Sequence, residues 1–330
     1  MITGTMDARM EMRDVLGTLR IRLGIGRQSY KVEPGLYRFG EPGEDSPVLV
    51  TANYKLSVDH LRREISGLDA WLLVLDTKGI NVWCAAGKGT FGTEELVRRI
   101  EAAGLSEYVS HGKIILPQLG APGVAAHEVK RRTGFTAVYG PVMARDLKAF
   151  LAAGMKATED MRRKNFPLGE RLTQAFVETG SVLKYGAILF AVLAAVLLIT
   201  GRGLHSLINP AILIAAAVIT GSFGAFGLLP WLPGRAFSVK GAVLAALFAA
   251  VSIAVGSLTG GMPPTLSGTG LLLLLGAGIC YMTLNLTGAS TYTSLSGVLK
   301  EMRYALPALI AAAGAGLLLW LVPVLLGGKI

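Results

Sequence analysis

The chain has 330 residues, which is enough for two domains, and 52% of them are hydrophobic. Its charge is uneven: only 7 of the 32 Lys and Arg, and 1 of the 22 Asp and Glu, follow residue 182. No block of basic residues with interleaved aromatics is present, which argues against nucleic-acid binding. The two cysteines, Cys84 and Cys280, exclude a disulfide framework and indicate a reducing compartment.

Residues 1–46 are predicted to form an N-terminal extension. Their first residues are polar and charged, so no secretory signal peptide is expected. A basic amphipathic stretch at 15–23 is followed by Pro/Gly-rich sequence, which predicts coil. No function follows from this segment alone.

Residues 47–155 alternate strand and helix patterns, which predicts a doubly wound, Rossmann-like α/β domain. The strands are short and apolar, as buried parallel strands are. Ligands of such sheets bind at the carboxyl ends of the strands. The predicted strands are 48–52, 71–76, 114–117 and 136–140, and the predicted helices are 57–65, 93–103, 124–133 and 142–152.

The rest of the chain is predicted to be a charged connecting helix or linker, 156–182, and an all-α transmembrane domain of five helices, 183–330. The distribution of Lys and Arg places the first domain in the cytoplasm, which makes this a multi-pass protein of the inner (cytoplasmic) membrane. The apolar stretches lie near 183–200, 210–229, 237–259, 268–288 and 305–326.

Cys84 lies between a predicted strand and a predicted helix, within the octapeptide Asn-Val-Trp-Cys-Ala-Ala-Gly-Lys at 81–88. A lone cysteine is usually a small buried hydrophobe, but a helix N-terminus and Lys88 would both favour its thiolate. A thiolate is a strong donor to a soft transition metal. Zinc is disfavoured because there is no C-x-x-C motif or histidine cluster, and a Cys/His hydrolase using His60, His111 or His127 remains open.

A glycine pattern supports an alternative of another class. Residues 87–92 fit G-x-G-x-x-G, the dinucleotide fingerprint, which would make the chain a transporter with a nucleotide-binding regulatory domain. The glycines of that fingerprint directly follow a strand, whereas here ten residues separate Gly87 from the predicted strand that ends at Asp76. No Asp or Glu lies within the predicted spans, which also disfavours an ion pathway.

The octapeptide resembles the cap-helix motif of the mercury-methylating corrinoid protein of anaerobic microbes. That family is similar to the large subunit of the corrinoid iron–sulfur protein, joined to a membrane domain of about five helices. Further similar segments lie at 47–59, 79–93, 116–128 and 139–146.

The resemblance implies a bound cobalamin or related corrinoid, with Cys84 as the catalytic residue and the lower axial ligand of cobalt. Methyl transfer from methyl-Co(III) to Hg(II) would give methylmercury. Small side chains would let the corrin lie close to the backbone. The implied cofactor-binding residues are Asn53, Asn81, Val82, Trp83, Cys84, Ala85, Ala86, Gly87, Lys88, Gly89, Thr90, His111, Gln118, Gly120, Tyr139 and Gly140.

The implied partners are a two-cluster ferredoxin-type iron–sulfur protein, a folate-pathway methyltransferase as methyl source, the Hg(II) substrate and the lipid bilayer. Two cysteines are too few to hold an iron–sulfur cluster, so an external electron donor is also expected on chemical grounds. The alternative within the same chemistry is a corrinoid methyl carrier for a different acceptor in one-carbon metabolism.

Overall fold

A computed structural model describes residues 2–22, 25–26, 29–259, 265–286 and 295–327. The chain divides into two compact units, Met1–Asn165 and Phe166–Ile330. The first unit is built on a six-stranded sheet and the second is helical. Each is described separately below.

The first unit alternates strands and helices along most of its length. Short 3₁₀ turns at Leu105–Glu107, Ala144–Asp146 and Asp160–Arg162 and a longer 3₁₀ segment at Gln118–Gly123 complete it. The strands are β1 (Ile2–Met6), β2 (Gly35–Phe39), β3 (Val48–Ala52), β4 (Ala70–Leu75), β5 (Lys113–Leu116) and β6 (Thr136–Tyr139). The helices are α1 (Met12–Arg22), α2 (Lys55–Glu64), α3 (Val82–Gly87), α4 (Thr93–Ala103), α5 (Ala126–Thr133) and α6 (Leu147–Ala152).

The sheet has the strand order β1-β2-β4-β3-β5-β6. Strands β4, β3, β5 and β6 are mutually parallel, whereas β2 is antiparallel to β4 and parallel to β1. The chain runs from β3 outward to β4 and then returns past β3 to β5, so the strand order reverses between β3 and β5. Such a reversal is a topological switch point, the usual ligand crevice of open α/β sheets.

Both faces of the sheet are covered, because alternate side chains of each central strand point to opposite sides. Leu73 and Leu75 of β4 pack in one core with α4 and α5, and Leu72 and Val74 pack in the other with α2 and α6. Every residue of β3 and β4 is buried, which explains their continuous apolar sequence. The predicted helices on two faces of a sheet are therefore present, while the Rossmann-like assignment stays a prediction.

The prediction for residues 1–46 was wrong, because they contribute β1, α1 and β2 instead of coil after a short amphipathic stretch. The four predicted strands are mutually parallel as expected, and the unpredicted β2 makes the sheet mixed. Strand β2 follows Pro34 and begins with a glycine, which are loop signals in the sequence. It is held by its pairing with β4 from Gly35↔Val74 to Phe39↔Ala70, a long-range contact that local sequence does not encode.

The second unit contains five helices that are long and apolar enough to cross a membrane, judged by length and composition among the described residues. The first begins within the predicted linker, so Glu170, Arg171 and Glu178 lie on a helix. Residues 287–294 fall outside the described part of the chain, and with them the predicted end of the fourth span at 288. The five segments are Leu168–Ile199, Leu204–Leu228, Phe237–Leu258, Leu266–Asn285 and Gly297–Leu325.

These segments correspond to α7 (Leu168–Ile199), α8 (Ile208–Ile219), α9 (Ala225–Leu228), α10 (Phe237–Thr259), α11 (Leu266–Asn285) and α12 (Leu295–Leu325). A 3₁₀ turn, Leu204–Leu207, precedes α8, and a π-helical turn, Thr220–Gly224, joins α8 to α9. Helices α11 and α12 approach closely through small residues. A Cβ added at Gly316 would lie 2.6 Å from the backbone nitrogen of Leu274.

Candidate functional site

A cavity of about 410 Å³ lies within the helical unit, but the cavity that the sheet topology singles out lies in the first unit and measures about 320 Å³. It opens at the switch point, between the carboxyl halves of β3 and β5. Helices α2 and α3 and the chain after β6 contribute the remaining walls. Its lining residues are Leu49, Val50, Thr51, Ser57, His60, Leu61, Asn81, Val82, Trp83, Ile115, Leu116, Pro117, Leu119, Pro141, Val142, Met143, Ala144, Leu147 and Lys164.

Helix α3 carries the octapeptide motif and begins beside this cavity. Asn81 is its N-cap, and the Asn81 side-chain oxygen accepts a hydrogen bond of 2.9 Å from the backbone N–H of Cys84. An asparagine in this role satisfies one of the otherwise unpaired N–H groups of a helix start. Val82 and Trp83 line the cavity, and Cys84 is half-buried. The motif thus fixes the backbone of the thiol-bearing turn.

The next two residues of α3 point into the protein. Ala85 and Ala86 are buried in the core that contains Phe91, so they serve the packing of α3 as well as any ligand. The 3₁₀ segment Gln118–Gly123 packs so closely against α3 that position 123 has no room for a side chain. A Cβ on Gly123 would lie 2.1 Å from the Phe91 carbonyl oxygen and 3.1 Å from the Ala86 Cα.

The remaining residues of the predicted cap segment form the turn between α3 and α4. Gly87, Lys88 and Gly89 are exposed, and Thr90 is half-buried with its N–H donating to the Ala85 carbonyl at 2.9 Å. The helix α3 therefore separates the glycine pattern from the end of β4. This arrangement lacks the strand-to-glycine turn that a dinucleotide fingerprint requires.

The loop from β4 to α3 is held by Asn53, which is buried at the end of β3. Its side-chain oxygen accepts hydrogen bonds from the N–H groups of Thr77 at 3.1 Å and Gly79 at 3.0 Å, and its amide donates to Asp76. Lys78 adopts a positive φ of 60°, a conformation that non-glycine residues rarely hold without support. Asn53 was predicted as a ligand contact, and in the structure it orders the loop that leads to α3.

Asp76 and Glu95 add charge to the same loop. Burial by itself raises the pKa of Asp76, but hydrogen bonds from the backbone and side chain of Lys78 outweigh it and lower the pKa. Glu95 accepts a hydrogen bond of 2.8 Å from the Asp76 N–H and pairs with Arg99 at 2.8 Å. Burial opposes ionisation of Glu95 too, yet these hydrogen bonds leave its pKa lowered. Both carboxylates therefore stay ionised and help to fix the entry to α3.

Four further predicted residues lie at the same edge of the sheet. Gln118 and Gly120 belong to the 3₁₀ segment after β5, and the Gln118 side chain accepts a hydrogen bond of 2.8 Å from Arg162. Tyr139 ends β6, and its hydroxyl donates to the Val124 carbonyl at 2.7 Å. Gly140 is buried and its N–H donates to the Leu116 carbonyl at 2.8 Å.

The placement of His111 at this edge was wrong. His111 precedes β5, and its ring lies 3.0 Å from the carbonyl oxygen of Ser46, which precedes β3. Because β3 and β5 are parallel, their amino ends share the opposite edge of the sheet from α3. His111 is therefore neither a candidate corrin contact nor a partner for Cys84 in hydrolysis.

Thr77 and Lys164 were missed by the sequence analysis, which named His60 only as a possible hydrolase base and not as a residue of this cavity. Thr77 is completely buried, and its hydroxyl donates to the Ile80 carbonyl at 2.6 Å, which closes the turn before α3. His60 and Lys164 line the cavity from distant parts of the sequence. Thr77 follows a predicted strand directly and could have been found from that position. His60 and Lys164 could not, because only the packing of α2 and the chain beyond α6 brings them there.

The donor set suits a metal whose equatorial ligands come from a macrocycle. Among the described residues, no group of three His, Cys, Asp or Glu side chains could hold a metal ion by itself. A corrin would bring nitrogen ligands of its own, so one soft protein donor would be sufficient, and Cys84, half-buried on α3, would be that donor. The macrocycle is too large for a cavity of about 320 Å³, so it fits only across the surface of this edge.

Comparisons with known proteins match the first unit. Residues 6–151 match the family CdhD, described as the CO dehydrogenase/acetyl-CoA synthase delta subunit. Three relatives are named acetyl-CoA decarbonylase/synthase complex subunit gamma. They are 35% identical over 127 residues in Methanopyrus kandleri, 32% over 162 in Methanocaldococcus jannaschii and 31% over 142 in Archaeoglobus fulgidus.

The matched regions cover 38%, 47% and 42% of this chain and 27%, 33% and 30% of the respective relatives. The chain thus spans about a third of the length of the curated relatives it matches. Homologues of this kind, corrinoid iron–sulfur protein large subunits, bind a corrinoid, which confirms the predicted cofactor class. They are corrinoid methyl-transfer components, in agreement with the coarser part of the predicted activity.

The finer family prediction was wrong. The matches support the corrinoid iron–sulfur protein large subunit and not a mercury-methylating protein. Hg(II) as substrate and a folate-pathway methyl source also lose their support, since both came from that resemblance. The octapeptide is eight residues long, whereas the match spans residues 6–151, so the longer alignment outweighs the resemblance of the octapeptide.

Proposed function

We propose that the first unit binds a corrinoid across the carboxyl edge of its parallel strands and acts as a methyl carrier in one-carbon metabolism. The observation that carries this proposal is the half-buried Cys84 on α3, directly after Val82 and Trp83, which line the switch-point cavity of a domain similar to CdhD. When bound, the corrinoid supplies a cobalt atom that accepts a methyl group from one partner and gives it to another.

In this proposal Cys84 is the axial donor to cobalt. The sulfur is a soft donor, so Cys84 would hold the cobalt and would tune its reactivity when the corrinoid is bound. Asn81 holds the backbone N–H of Cys84, and Asn53 orders the loop before it. These groups thereby fix the backbone that carries Cys84 before any ligand arrives, as second-shell groups do at other metal sites.

The side chains around Cys84 divide into three roles. Val82 and Trp83 offer apolar surface at the cavity mouth, where a cofactor appendage can enter. The exposed backbone at Gly87 and Gly89 allows close approach, because no side chain projects there. Lys88, which is exposed after α3, and Lys164, which lines the cavity, are positive groups that can meet anionic substituents of the cofactor.

The relatives are named as subunits of an acetyl-CoA decarbonylase/synthase complex, and this supports assembly of the present chain with further one-carbon proteins. An iron–sulfur protein is the proposed electron donor, since two cysteines are too few for a cluster within these 330 residues. The five apolar helices are proposed to anchor the chain in the cytoplasmic membrane, with the first unit in the cytoplasm.

Cobalt content and the visible spectrum test the cofactor site directly. The full chain is purified in detergent after incubation with cobalamin, alongside Cys84→Ala and Cys280→Ala. Cys280 is the matched control because it is the other cysteine and is buried in α11. We expect one cobalt per chain in the wild type and a changed spectrum in Cys84→Ala only.

Two results would contradict the assignment. A spectrum that is identical in Cys84→Ala and wild type, at equal cobalt content, would remove Cys84 as a ligand while keeping the corrinoid site. Absence of cobalt from the wild type would remove the corrinoid function itself. The methyl-carrier role is then tested by loading the holoprotein with labelled methyl iodide after reduction and following release of the label to added thiol acceptors.

A further inference from the structure

Helix α1 exposes an apolar stripe that the proposed function does not use. Met12, Val15, Leu16 and Leu19 follow the spacing i, i+3, i+4, i+7 of one helix face. Their exposed fractions are 72%, 53%, 58% and 53%, which is unusual for four neighbouring apolar side chains of a soluble surface.

The opposite face of α1 fixes its orientation on the first unit. Asp14 and Ile21 are 5% and 3% exposed. The Asp14 carboxylate accepts hydrogen bonds of 2.6 Å from both Lys55 and Arg62 of α2, and these two residues also pair with Asp59. The helix is thus docked through a charged and largely buried network, with the apolar stripe turned away from the domain.

Arginines border the stripe on both sides. At about 100° per residue, Arg13 and Arg20 project to one flank of the stripe and Arg22 to the other. Glu11 pairs with Arg13 at 2.9 Å, and Asp14, the one acidic residue of the helix, is turned inward. The exposed surface of the helix itself therefore consists of an apolar centre with positive edges.

We infer that α1 lies in the headgroup region of an anionic lipid bilayer, with its apolar stripe toward the acyl chains and its arginines at the phosphates. This inference rests on the proposal that the five apolar helices occupy a bilayer, which brings a lipid surface to the same chain. An apolar stripe flanked by arginines is the pattern of an interfacial helix. A second copy of this chain would set positive edges against positive edges, which disfavours self-association through this face.

Photocrosslinking in nanodiscs tests the inference with the full chain. p-Benzoylphenylalanine replaces Leu16 in the stripe, Ala102 on the exposed side of α4, or Leu247, which is 53% exposed on α10. Discs that hold one chain contain phosphatidylcholine with or without phosphatidylglycerol, and lipid adducts are counted by mass spectrometry. We expect lipid adducts at positions 16 and 247 and a near-background yield at 102.

Neutralising two arginines tests whether α1 binds anionic lipid or is only held close to the bilayer by the rest of the chain. Arg20→Gln with Arg22→Gln should lower the adduct yield at position 16 in phosphatidylglycerol discs, by at most about fivefold per arginine because each basic side chain contributes about 1 kcal/mol at such a surface. An unchanged yield would overturn the anionic lipid partner.

The remaining outcomes separate the two proposals. Lipid adducts at 247 without adducts at 16 would overturn the inference while leaving the membrane anchor in place. Absence of adducts at 247 would overturn the membrane anchor and the inference together. Protein–protein adducts at 16, formed when discs hold two chains and in place of lipid adducts, would assign the stripe to self-association.

Discussion

The two units of this chain keep water from their apolar side chains in different ways. Strands β3 and β4 are entirely buried by helices of the first unit. In the second unit large apolar side chains face outward, as at Leu258 with 87% and Ile199 with 85% exposure. The first unit closes its own core, whereas the second leaves large apolar side chains exposed, as the proposed membrane anchor requires. The first should therefore depend on loops and core packing. Under the proposed anchoring the second should depend on close helix contacts, because lipid provides no hydrophobic drive between helices.

The largest expected effect is in the second unit, at Gly316 of α12. Gly316→Ala places a Cβ 2.6 Å from the Leu274 nitrogen, so α11 and α12 must separate. We expect a loss of about 3 kcal/mol of stability, an overpacking cost at a backbone contact. Thermal unfolding in detergent measures it. Gly314→Ala on the same helix meets nothing within 4 Å and is the control, and equal melting temperatures would refute a role for close helix approach.

A matched pair in the first unit tests the packing of α3. Gly123→Ala would place a Cβ 2.1 Å from the Phe91 carbonyl oxygen, and should destabilise this edge by about 2–3 kcal/mol. Gly87→Ala meets nothing within 4 Å on the exposed end of α3 and should be neutral or stabilising by about 0.5 kcal/mol. Hydrogen exchange of the peptide that spans α3 reports both. Similar exchange in the two variants would contradict the close contact described above.

Asn53→Ala should free the loop that precedes α3. The N–H groups of Thr77 and Gly79 lose their acceptor, at a cost of about 2 kcal/mol for buried groups left unpaired. Hydrogen exchange should rise at 76–84 and stay unchanged in the helices of the second unit. Asn53→Asp keeps the acceptor oxygen but sets a second carboxylate beside Asp76, so it should fall between wild type and Asn53→Ala. An increase in hydrogen exchange that is confined to β3 would show that Asn53 stabilises this strand and not the loop before α3.

The smallest expected effect is the pH dependence of the α1–α2 contact. Burial alone raises the pKa of Asp14, but hydrogen bonds from Lys55, the Glu11 backbone and Arg62 outweigh it and lower the pKa from 3.8 to about 2. A lowered folded-state pKa stabilises the folded form above pH 3.8, and this contribution is lost as the pH falls toward about 2. We expect at most about 2 kcal/mol.

Thermal unfolding of wild type and Asp14→Asn between pH 6 and pH 2.5 measures this contribution. The difference in melting temperature should be largest above pH 4 and shrink as the pH falls through the window between the two pKa values. A difference that is constant with pH would show that Asp14 contributes through packing and not through its charge.

Sequence patterns predicted the elements whose signals are local. Four strands and the helices α2, α4, α5 and α6 were anticipated with shifts of a few residues, because apolar runs and glycine or proline breaks lie within each segment. The largest shift was in the helix predicted at 142–152, which corresponds to α6. Residues 144–146 form a 3₁₀ turn there and α6 begins at Leu147.

Chain order was enough to predict at which edge of the sheet Cys84 and Asn81 lie. The burial of individual side chains and the sheet edge of His111 could not be predicted in this way. Cys84 and Asn81 follow a strand and precede a helix, so their edge of the sheet could be inferred. The burial of Ala85 and Ala86 depends on Phe91 and the 3₁₀ segment, which the octapeptide does not encode. His111 was misplaced because a residue before a strand was grouped with residues after strands.

The sequence by itself determined the two-part organisation, the apolar helices and the position of the thiol after a strand, because composition and short apolar patterns carry that information. The cofactor class came from what the resemblance to a corrinoid protein family implies. Only the tertiary structure decided that β1 and β2 join the sheet, that the strand order reverses between β3 and β5, and that α1 turns its apolar stripe outward. Each of these depends on contacts between residues far apart in the chain, such as the pairing of β2 with β4 and the Asp14–Lys55 ion pair. Local sequence propensity does not encode such contacts.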